Sequence, residues 1–200
     1  DGSDLWEEDG FLISGSENDE READVAIDNE GFIWIIWEDA RYEEDVFGRD
    51  IYMQKLDHQP DDRNRPREFY EQDGIPVCHI RGDQRNPTLT HDGQNGVWIA
   101  WEDYRNGVWS DVYATHLNPG GEPYDPWEGH GSIISNAYHK QVNPQLTLLN
   151  ENGDGGVIVL WEDKRCTGHN ELVNLYCQLL DDDLVSVQER VITSPSKFIL

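Results

Sequence analysis

Trp37-Glu38-Asp39-Ala40-Arg41 is the first of three near-copies of one block of residues in this chain. Trp101 begins the second copy 64 positions after Trp37, and Trp161 begins the third 60 positions after Trp101. An internal repeat at a nearly fixed period predicts an architecture assembled from repeated units. Because every unit carries the block, we expect it to hold each unit together rather than to catalyse one reaction. The repeated structural residues are Trp37, Asp39, Arg41, Trp101, Asp103, Arg105, Trp161, Asp163 and Arg165.

A short apolar run directly precedes each block. The three runs span residues 32–36, 97–100 and 157–160, are rich in β-branched and aromatic residues, and follow turns that contain Gly, Asn and Asp. This composition predicts strands rather than helices. The runs do not alternate with polar residues, so we expect them to be buried on both faces. One further strand is predicted before each run, at residues 23–27, 87–90 and 144–148. Two more are predicted after each block, and the last of them in the third unit spans residues 190–194.

Four short strands in each repeat of 60 to 64 residues predict the blades of an all-β propeller. A β-sandwich is the alternative, but it would not require near-copies at one period. The segment Phe11 to Ser14 matches the fourth strand of the other units, so we expect it to belong to a preceding blade. Three blades leave two faces open, which we expect further blades, other copies or protein subunits to cover. The predicted divisions are 1–22 as a lead-in with that outer strand, 23–80 as blade 1, 81–135 as blade 2 and 136–200 as blade 3.

The chain is strongly acidic. It has 41 Asp and Glu residues against 15 Lys and Arg residues, for a net charge of −26. This balance argues against binding to nucleic-acid phosphates, which requires basic patches, and against binding to anionic membrane surfaces. No apolar stretch is long enough to span a bilayer, so we expect no membrane insertion. The acidity suits an extracellular, saline or calcium-rich setting, or simply a soluble, self-repelling surface.

Two features of the third unit suggest a cross-link and a metal site. Cys166 follows one predicted strand and Cys177 lies in the next, so a disulfide is plausible; three buried thiols, including Cys78, are the alternative. Oxygen donors at Asn150, Asn152 and Asp154 resemble the start of a calcium loop. The distal bidentate Glu of an EF-hand is missing there, and an ordinary hairpin turn would have the same composition. Ca²⁺ is the one cofactor that the sequence suggests.

The sequence offers little evidence of catalysis. The block contains a carboxylate pair and an arginine, but an active site is rarely present in triplicate. No G-x-S-x-G, glycine-rich phosphate loop or His-Glu-x-x-His occurs, and we therefore predict a protein that is not an enzyme. Aromatic residues in loop-like stretches could stack on sugars or anchor a partner, or they could form small cores beneath the loops. They are Tyr42, Tyr70, Trp109, Tyr124, Trp127 and Tyr138.

The second unit resembles a known repeat. It reads Val97-Trp98-Ile99-Ala100-Trp101-Glu102-Asp103, continues to Arg105, and resumes at Asp111-Val112-Tyr113. This pattern is similar to the W-[EQ]-D-x-R and D-I-Y-A-Q propeller-type repeats of large secreted bacterial surface proteins. The resemblance implies an extracellular or cell-surface module that binds or scaffolds. Two alternatives stay open: a glycan-active hydrolase of the sialidase or arabinanase kind, and a structural subunit of an extracellular polymer joined by strand exchange.

Overall fold

The computed structural model describes residues 6, 9–42, 48–59, 61, 65–127, 129–150, 156–165 and 172–181, and the backbone of 187–191. Over this part of the chain the protein is all-β, with antiparallel strands in three sheets. The described residues contain no helix that is long and apolar enough to cross a membrane. The strands are β1 (Glu20–Ile27), β2 (Phe32–Asp39), β3 (Asp50–Asp57), β4 (Arg67–Glu68), β5 (Ile75–Cys78), β6 (Gln84–His91), β7 (Val97–Asp103), β8 (Asp111–Leu117), β9 (Ser132–Ser135), β10 (Gln141–Leu148), β11 (Val157–Asp163), β12 (Asn174–Leu180) and β13 (Val187–Val191).

Each sheet is one blade whose neighbouring strands follow each other in the chain. Blade 1 comprises β1 to β5, blade 2 comprises β6 to β9, and blade 3 comprises β10 to β13. An aspartate closes the first hairpin in blades 1 and 2. Asp28 Oδ1 accepts the N–H groups of Glu30 and Phe32 at 3.0 and 2.9 Å. Asp92 accepts equivalent bonds in blade 2, so the Asp- and Gly-containing turns fix the register of the strands that follow.

The blades pack face to face through two apolar cores. In the first core, Trp34 and Met53 of blade 1 meet Leu89 and Trp101 of blade 2. In the second, the opposite face of blade 2 packs on the third blade's Val159, Trp161 and Tyr176, among others. Blade 2 is therefore covered on both sides, and the three sheets form the arc of a propeller, as the repeat predicts.

The lead-in differs from the expectation. Phe11 to Ser14 is not a strand, and Leu12 is 68% exposed. An isolated strand would leave its backbone groups without partners. The lead-in instead turns onto blade 1, where Glu20 Oε1 accepts bonds from Ser14 and Ser16, and the N–H of Gly15 bonds Asp73 at 2.8 Å. The segment therefore forms no strand within the described structure, and its assignment to a preceding blade stays a prediction.

Several strand boundaries also differ from the predicted ones. The first strand of each blade begins three residues earlier than expected, because a β-bulge interrupts its pairing with the second strand. In blade 1, two short strands, β4 and β5, both pair with β3, so its sheet has five strands rather than four. The last strand of blade 3 occupies Val187–Val191 rather than 190–194.

Candidate binding site at the propeller axis

The repeated block forms a similar set of bonds in all three blades. Asp103 is fully buried, and its two carboxylate oxygens accept bonds from the Arg105 backbone N–H, Nε and one terminal nitrogen at 2.9, 2.8 and 2.6 Å. The Nε1–H of Trp101 donates to the same carboxylate at 2.8 Å. The same four bonds are present at Asp39. Asp163 accepts bonds from the Trp161 Nε1–H, the Arg165 backbone N–H and one terminal nitrogen of Arg165.

The arginine of each block also ties its blade together. Arg105 lies over the Tyr113 ring, with Cζ 3.8 Å from the centroid, and donates to the His130 carbonyl at 2.7 Å. Arg41 bonds the Asp73 carbonyl, and Arg165 bonds the Ser135 hydroxyl. Each arginine bonds the carboxylate of its own block, and Arg41 and Arg105 also bond carbonyls at equivalent places in their own blades. Arg165 differs, because Ser135 belongs to β9 of blade 2. Bidentate Arg–carboxylate pairs of this kind combine geometry with strength.

In blade 1 the two aspartates at the paired ends of β2 and β3 differ in pKa. Burial by itself raises the pKa of Asp39, but the bonds from Arg41 and Trp37 outweigh it and leave that pKa below its usual value. Asp50 pairs with Asp39 across β2 and β3 and behaves differently. Burial raises the pKa of Asp50 to about 6, although His79 bonds its carboxylate at 2.7 Å and lowers the pKa in part.

The glutamate of the block joins neighbouring blades. Glu38 of blade 1 accepts the backbone N–H of Asn86 in blade 2 at 2.7 Å. Glu102 of blade 2 accepts the backbone N–H of Asn143 in blade 3 at 2.9 Å, and the Asn86 side-chain amide bonds the same Glu102 oxygen at 2.6 Å. Burial raises the pKa of Glu38, although the Asn86 bond and Arg49 oppose this. The middle residue of the Trp-Glu-Asp sequence therefore links two blades.

The N–H groups of Asn86 and Asn143 are free to bond the neighbouring blade because β6 and β10 bulge at these residues. Glu22, Asn86 and Asn143 occupy equivalent places in β1, β6 and β10, and their φ angles are 46°, 48° and 53°. Asn tolerates this left-handed conformation better than most residues do. Asn86 and Asn143 each precede a proline, which has no N–H and so fits a position where ladder pairing is lost. This repeated Asn-Pro pair is a sequence signal that could have revealed the bulges.

The three bulges line one cavity, which we call the axial pocket. Its volume is about 370 Å³, and it lies where the first strands of neighbouring blades meet. Asp24 bridges two blades there, because its carboxylate accepts the hydroxyl of Thr88 and the N–H of Leu89, both at 3.1 Å. The side chains of Asn143 and Gln145 are exposed. The pocket is lined by Glu22, Ala23, Asp24, Asn86, Pro87, Thr88, Asn143, Pro144 and Gln145.

An exposed aromatic cluster lies on the loops that lead to the third bulge. Trp109, in the β7–β8 loop, contacts the His139 ring edge to face, with centroids 5.0 Å apart. Tyr138 contacts the same imidazole at 4.4 Å. Trp109 is 39% exposed and Tyr138 is 76% exposed, so both rings are accessible to a ligand. Trp127, by contrast, is buried against Trp98 and belongs to the core.

The predicted cross-link and metal site fall largely outside the described residues. Cys166, Asn152 and Asp154 lie outside them, while Asn150 and Cys177 lie within. The disulfide and the calcium loop therefore stay predictions. In the part of the chain that is described, no group of three His, Cys, Asp or Glu residues is placed to hold a metal ion. Cys78 is fully buried, and burial raises the pKa of its thiol, so this cysteine suits packing rather than reactivity.

Comparison with solved structures supports the propeller architecture. The fold is similar to that of an endo-arabinase from Bacteroides thetaiotaomicron VPI-5482, with a TM-score of 0.55 and 13% sequence identity. The similarity covers 92% of this chain and 59% of the arabinase. At this identity the likeness concerns the fold alone. No protein-family model and no curated protein matches the sequence.

Proposed function

We propose that this chain is a propeller module that binds a neutral, polyhydroxylated ligand, such as a segment of a polysaccharide, and does not cleave it. The observation that carries the proposal is the lining of the axial pocket. Exposed amides at Asn143 and Gln145 combine donors and acceptors, as sugar hydroxyls require, and Thr88 lies beside them. A few converging polar groups in a concave site are typical of small-ligand recognition.

The aromatic cluster supports the same proposal. Trp109 and Tyr138 expose flat apolar faces next to polar edges, which suits stacking on sugar rings. Asn143 follows Tyr138 closely in the chain, so an extended ligand in the pocket would have these rings within its reach. The extracellular or cell-surface location implied by the repeat resemblance is part of this proposal, since polysaccharides are abundant there.

The lining does not favour hydrolysis. Glycoside hydrolysis canonically requires two carboxyl groups that flank the scissile bond. Two carboxylates line the pocket, Glu22 and Asp24. Both come from the same strand, and Asp24 is engaged in two bonds between blades. The block carboxylates Asp39, Asp103 and Asp163 are occupied by their own arginines.

Hydrolysis is nevertheless the second candidate function, because the similar solved structure is an endo-arabinase. One experiment separates the two functions. Linear arabinan oligosaccharides and a panel of other neutral glycans are titrated into the protein by calorimetry, and new reducing ends are measured in parallel. We expect binding to at least one glycan without release of reducing ends. Release that is lost in both E22Q and D24N would establish the second candidate instead.

Variants test where the ligand binds. Replacing Trp109 and Tyr138 together by Ala should weaken binding at least tenfold, because it removes the two exposed aromatic faces on which sugar rings would stack. Gln145→Ala should weaken binding less. Val108→Ala is the matched control, since Val108 is 76% exposed and neighbours Trp109. Absence of binding to every glycan in the panel would contradict the proposal.

A further inference from the structure

The two ends of the arc carry complementary halves of one repeated interface. At each contact between blades, a glutamate of the earlier blade accepts a bulge N–H of the later blade. Blade 3 retains that acceptor at Glu162, whose backbone is paired on both sides but whose carboxylate accepts no hydrogen bond from the described residues. Blade 1 retains the bulge at Glu22, whose φ of 46° matches those of the other two. Its N–H likewise has no partner in the described part of the chain.

A second repeated bond shows the same pattern. In blades 2 and 3, the N–H of the first residue of the first strand donates a hydrogen bond to the preceding blade. The acceptor is the carbonyl of the residue just before the third strand of that blade. Gln84 donates to the Arg49 carbonyl at 2.7 Å, and Gln141 donates to the Ser110 carbonyl at 2.9 Å. The corresponding carbonyl in blade 3 belongs to Val173, which is 43% exposed.

The apolar surfaces at the two ends match as well. We call the exposed side of blade 1 the leading face. Val25 and Ile27 on this face are each 59% exposed, whereas Leu89, the equivalent of Val25 in blade 2, is 6% exposed because it packs on blade 1. The leading face consists of Val25, Ile27, Ile33 and Ile35.

The outer side of blade 3, the trailing face, is half-buried and apolar. In blade 2 the equivalent residues, Trp98, Ala100 and Ala114 among them, are buried beneath blade 3. Leu179 stands where blade 2 has His116, so the trailing face is more apolar than its counterpart. The trailing face consists of Ile158, Leu160, Leu175, Cys177 and Leu179 around Glu162.

We propose that a second copy of this chain docks its leading face on the trailing face of the first, with Glu162 accepting the N–H of Glu22. Because both halves are on one chain, the contact is head to tail and can recur. Two arcs of three blades each would give six blades, and closed propellers typically have four to eight blades. The interface is independent of the proposed glycan binding, although a closed ring would enclose the axial pocket.

Charge sets the conditions for this association. Glu22 stands where the other bulges have Asn, so docking brings its carboxylate near that of Glu162. Each copy also carries a net charge of −26. Both effects oppose association at low ionic strength and are screened at high salt. We therefore expect dimer formation to strengthen as salt is raised.

Sedimentation velocity over a range of concentrations and salt tests the proposal. We expect a species of twice 23.1 kDa at high salt. V25E on the leading face and L160E on the trailing face should each weaken association at least tenfold. A mixture of the two variants should associate again, because one wild-type leading face still meets one wild-type trailing face. V108E, on an exposed loop, is the control and should associate like the wild type.

Other outcomes are equally decisive. Assemblies larger than a dimer that V25E and L160E both weaken would support head-to-tail docking that does not close into a ring. A folded wild type that stays monomeric at every concentration and salt would overturn the proposal. So would association that V25E leaves intact while L160E abolishes it, because that result means two trailing faces meet. I27K and L179K repeat the test if either first variant fails to fold by circular dichroism.

Discussion

Blades 2 and 3 share the same block and strand order, but they differ in burial. Every residue of β7 and β8 is buried. In β11 and β12, buried residues alternate with half-buried ones. The bonds of Asp163 with Arg165 and Trp161 nevertheless match those of Asp103 in blade 2. The contacts among Trp, Asp and Arg of the block therefore form within each blade, whereas burial of the second face depends on the blade that follows.

The largest effect should come from the buried Trp of the central blade. Trp101 is fully buried between blades 1 and 2. Trp101→Ala should lower the free energy of unfolding by about 3–5 kcal/mol, as for other large buried aromatics. Chemical denaturation measures this. Trp109→Ala is the matched control and should cost little, because Trp109 is partly exposed. A change near zero in the free energy of unfolding for Trp101→Ala would place this residue outside the core.

Equivalent positions on two blades test the comparison directly. Ile36 of blade 1 is 1% exposed beneath blade 2, whereas Leu160, its equivalent in blade 3, is half-buried on the trailing face. Ile36→Ala should cost about 2–4 kcal/mol, and Leu160→Ala should cost roughly 1 kcal/mol or less at concentrations where the chain is monomeric. Equal losses in denaturation would mean that the trailing face is already covered within one chain.

Two glycines of blade 2 with positive φ angles test how closely the chain packs around Trp101. Gly131 has a φ of 78°, and a Cβ there would lie 2.2 Å from the Trp101 ring. Gly131→Ala should cost at least about 2 kcal/mol, because backbone strain and a clash combine. Gly107 also has a positive φ, but a Cβ there would meet nothing within 4 Å. Gly107→Ala should therefore cost only about 1 kcal/mol in the same thermal unfolding experiment.

The last expected effect depends on pH. The pKa of Asp50 is raised by burial from 3.8 to about 6, so the folded state binds this proton more tightly than the unfolded chain does. The stability contributed by this group is fully present below about pH 4 and is lost as pH rises through about 6. Asp50→Asn removes that loss, and blade 3 already has Asn174 at the equivalent place.

Unfolding curves at several pH values test this prediction. The stability of Asp50→Asn relative to the wild type should rise between about pH 4 and pH 7, by on the order of 2 kcal/mol. Glu71→Gln, at an exposed carboxylate, is the control and should leave the pH profile unchanged. If the stability of Asp50→Asn and that of the wild type changed with pH in parallel, the raised pKa of Asp50 would be contradicted.

The sequence was sufficient to predict the blades, because their strands are local hairpins. An apolar run such as 97–100, bounded by a Gly-rich turn and the Trp-Glu-Asp block, defines its own neighbours. It was not sufficient for Phe11 to Ser14, whose apolar residues suit a strand but pair with no strand of the described structure. Whether a strand forms depends on a partner as well as on composition.

The axial pocket could not be predicted from the apolar pattern. It depends on bulges at Asn86 and Asn143, and a bulge breaks the alternation from which strands are recognised. The role of Glu38 and Glu102 was also missed, because their partners are backbone N–H groups some 48 and 41 residues away. Contacts of that kind follow from the packing of blades, not from local sequence.

The central claim is that each blade holds the next through a glutamate and a bulge N–H. Amide hydrogen exchange resolved to single residues tests this claim most directly, at concentrations low enough to keep the chain monomeric. The N–H groups of Asn86 and Asn143 should exchange at least tenfold more slowly than that of Glu22, which has the same backbone conformation but no glutamate partner in the described structure. Glu38→Gln should speed exchange at Asn86 and leave Asn143 unchanged. Equal exchange at all three bulges in the wild type would contradict the account.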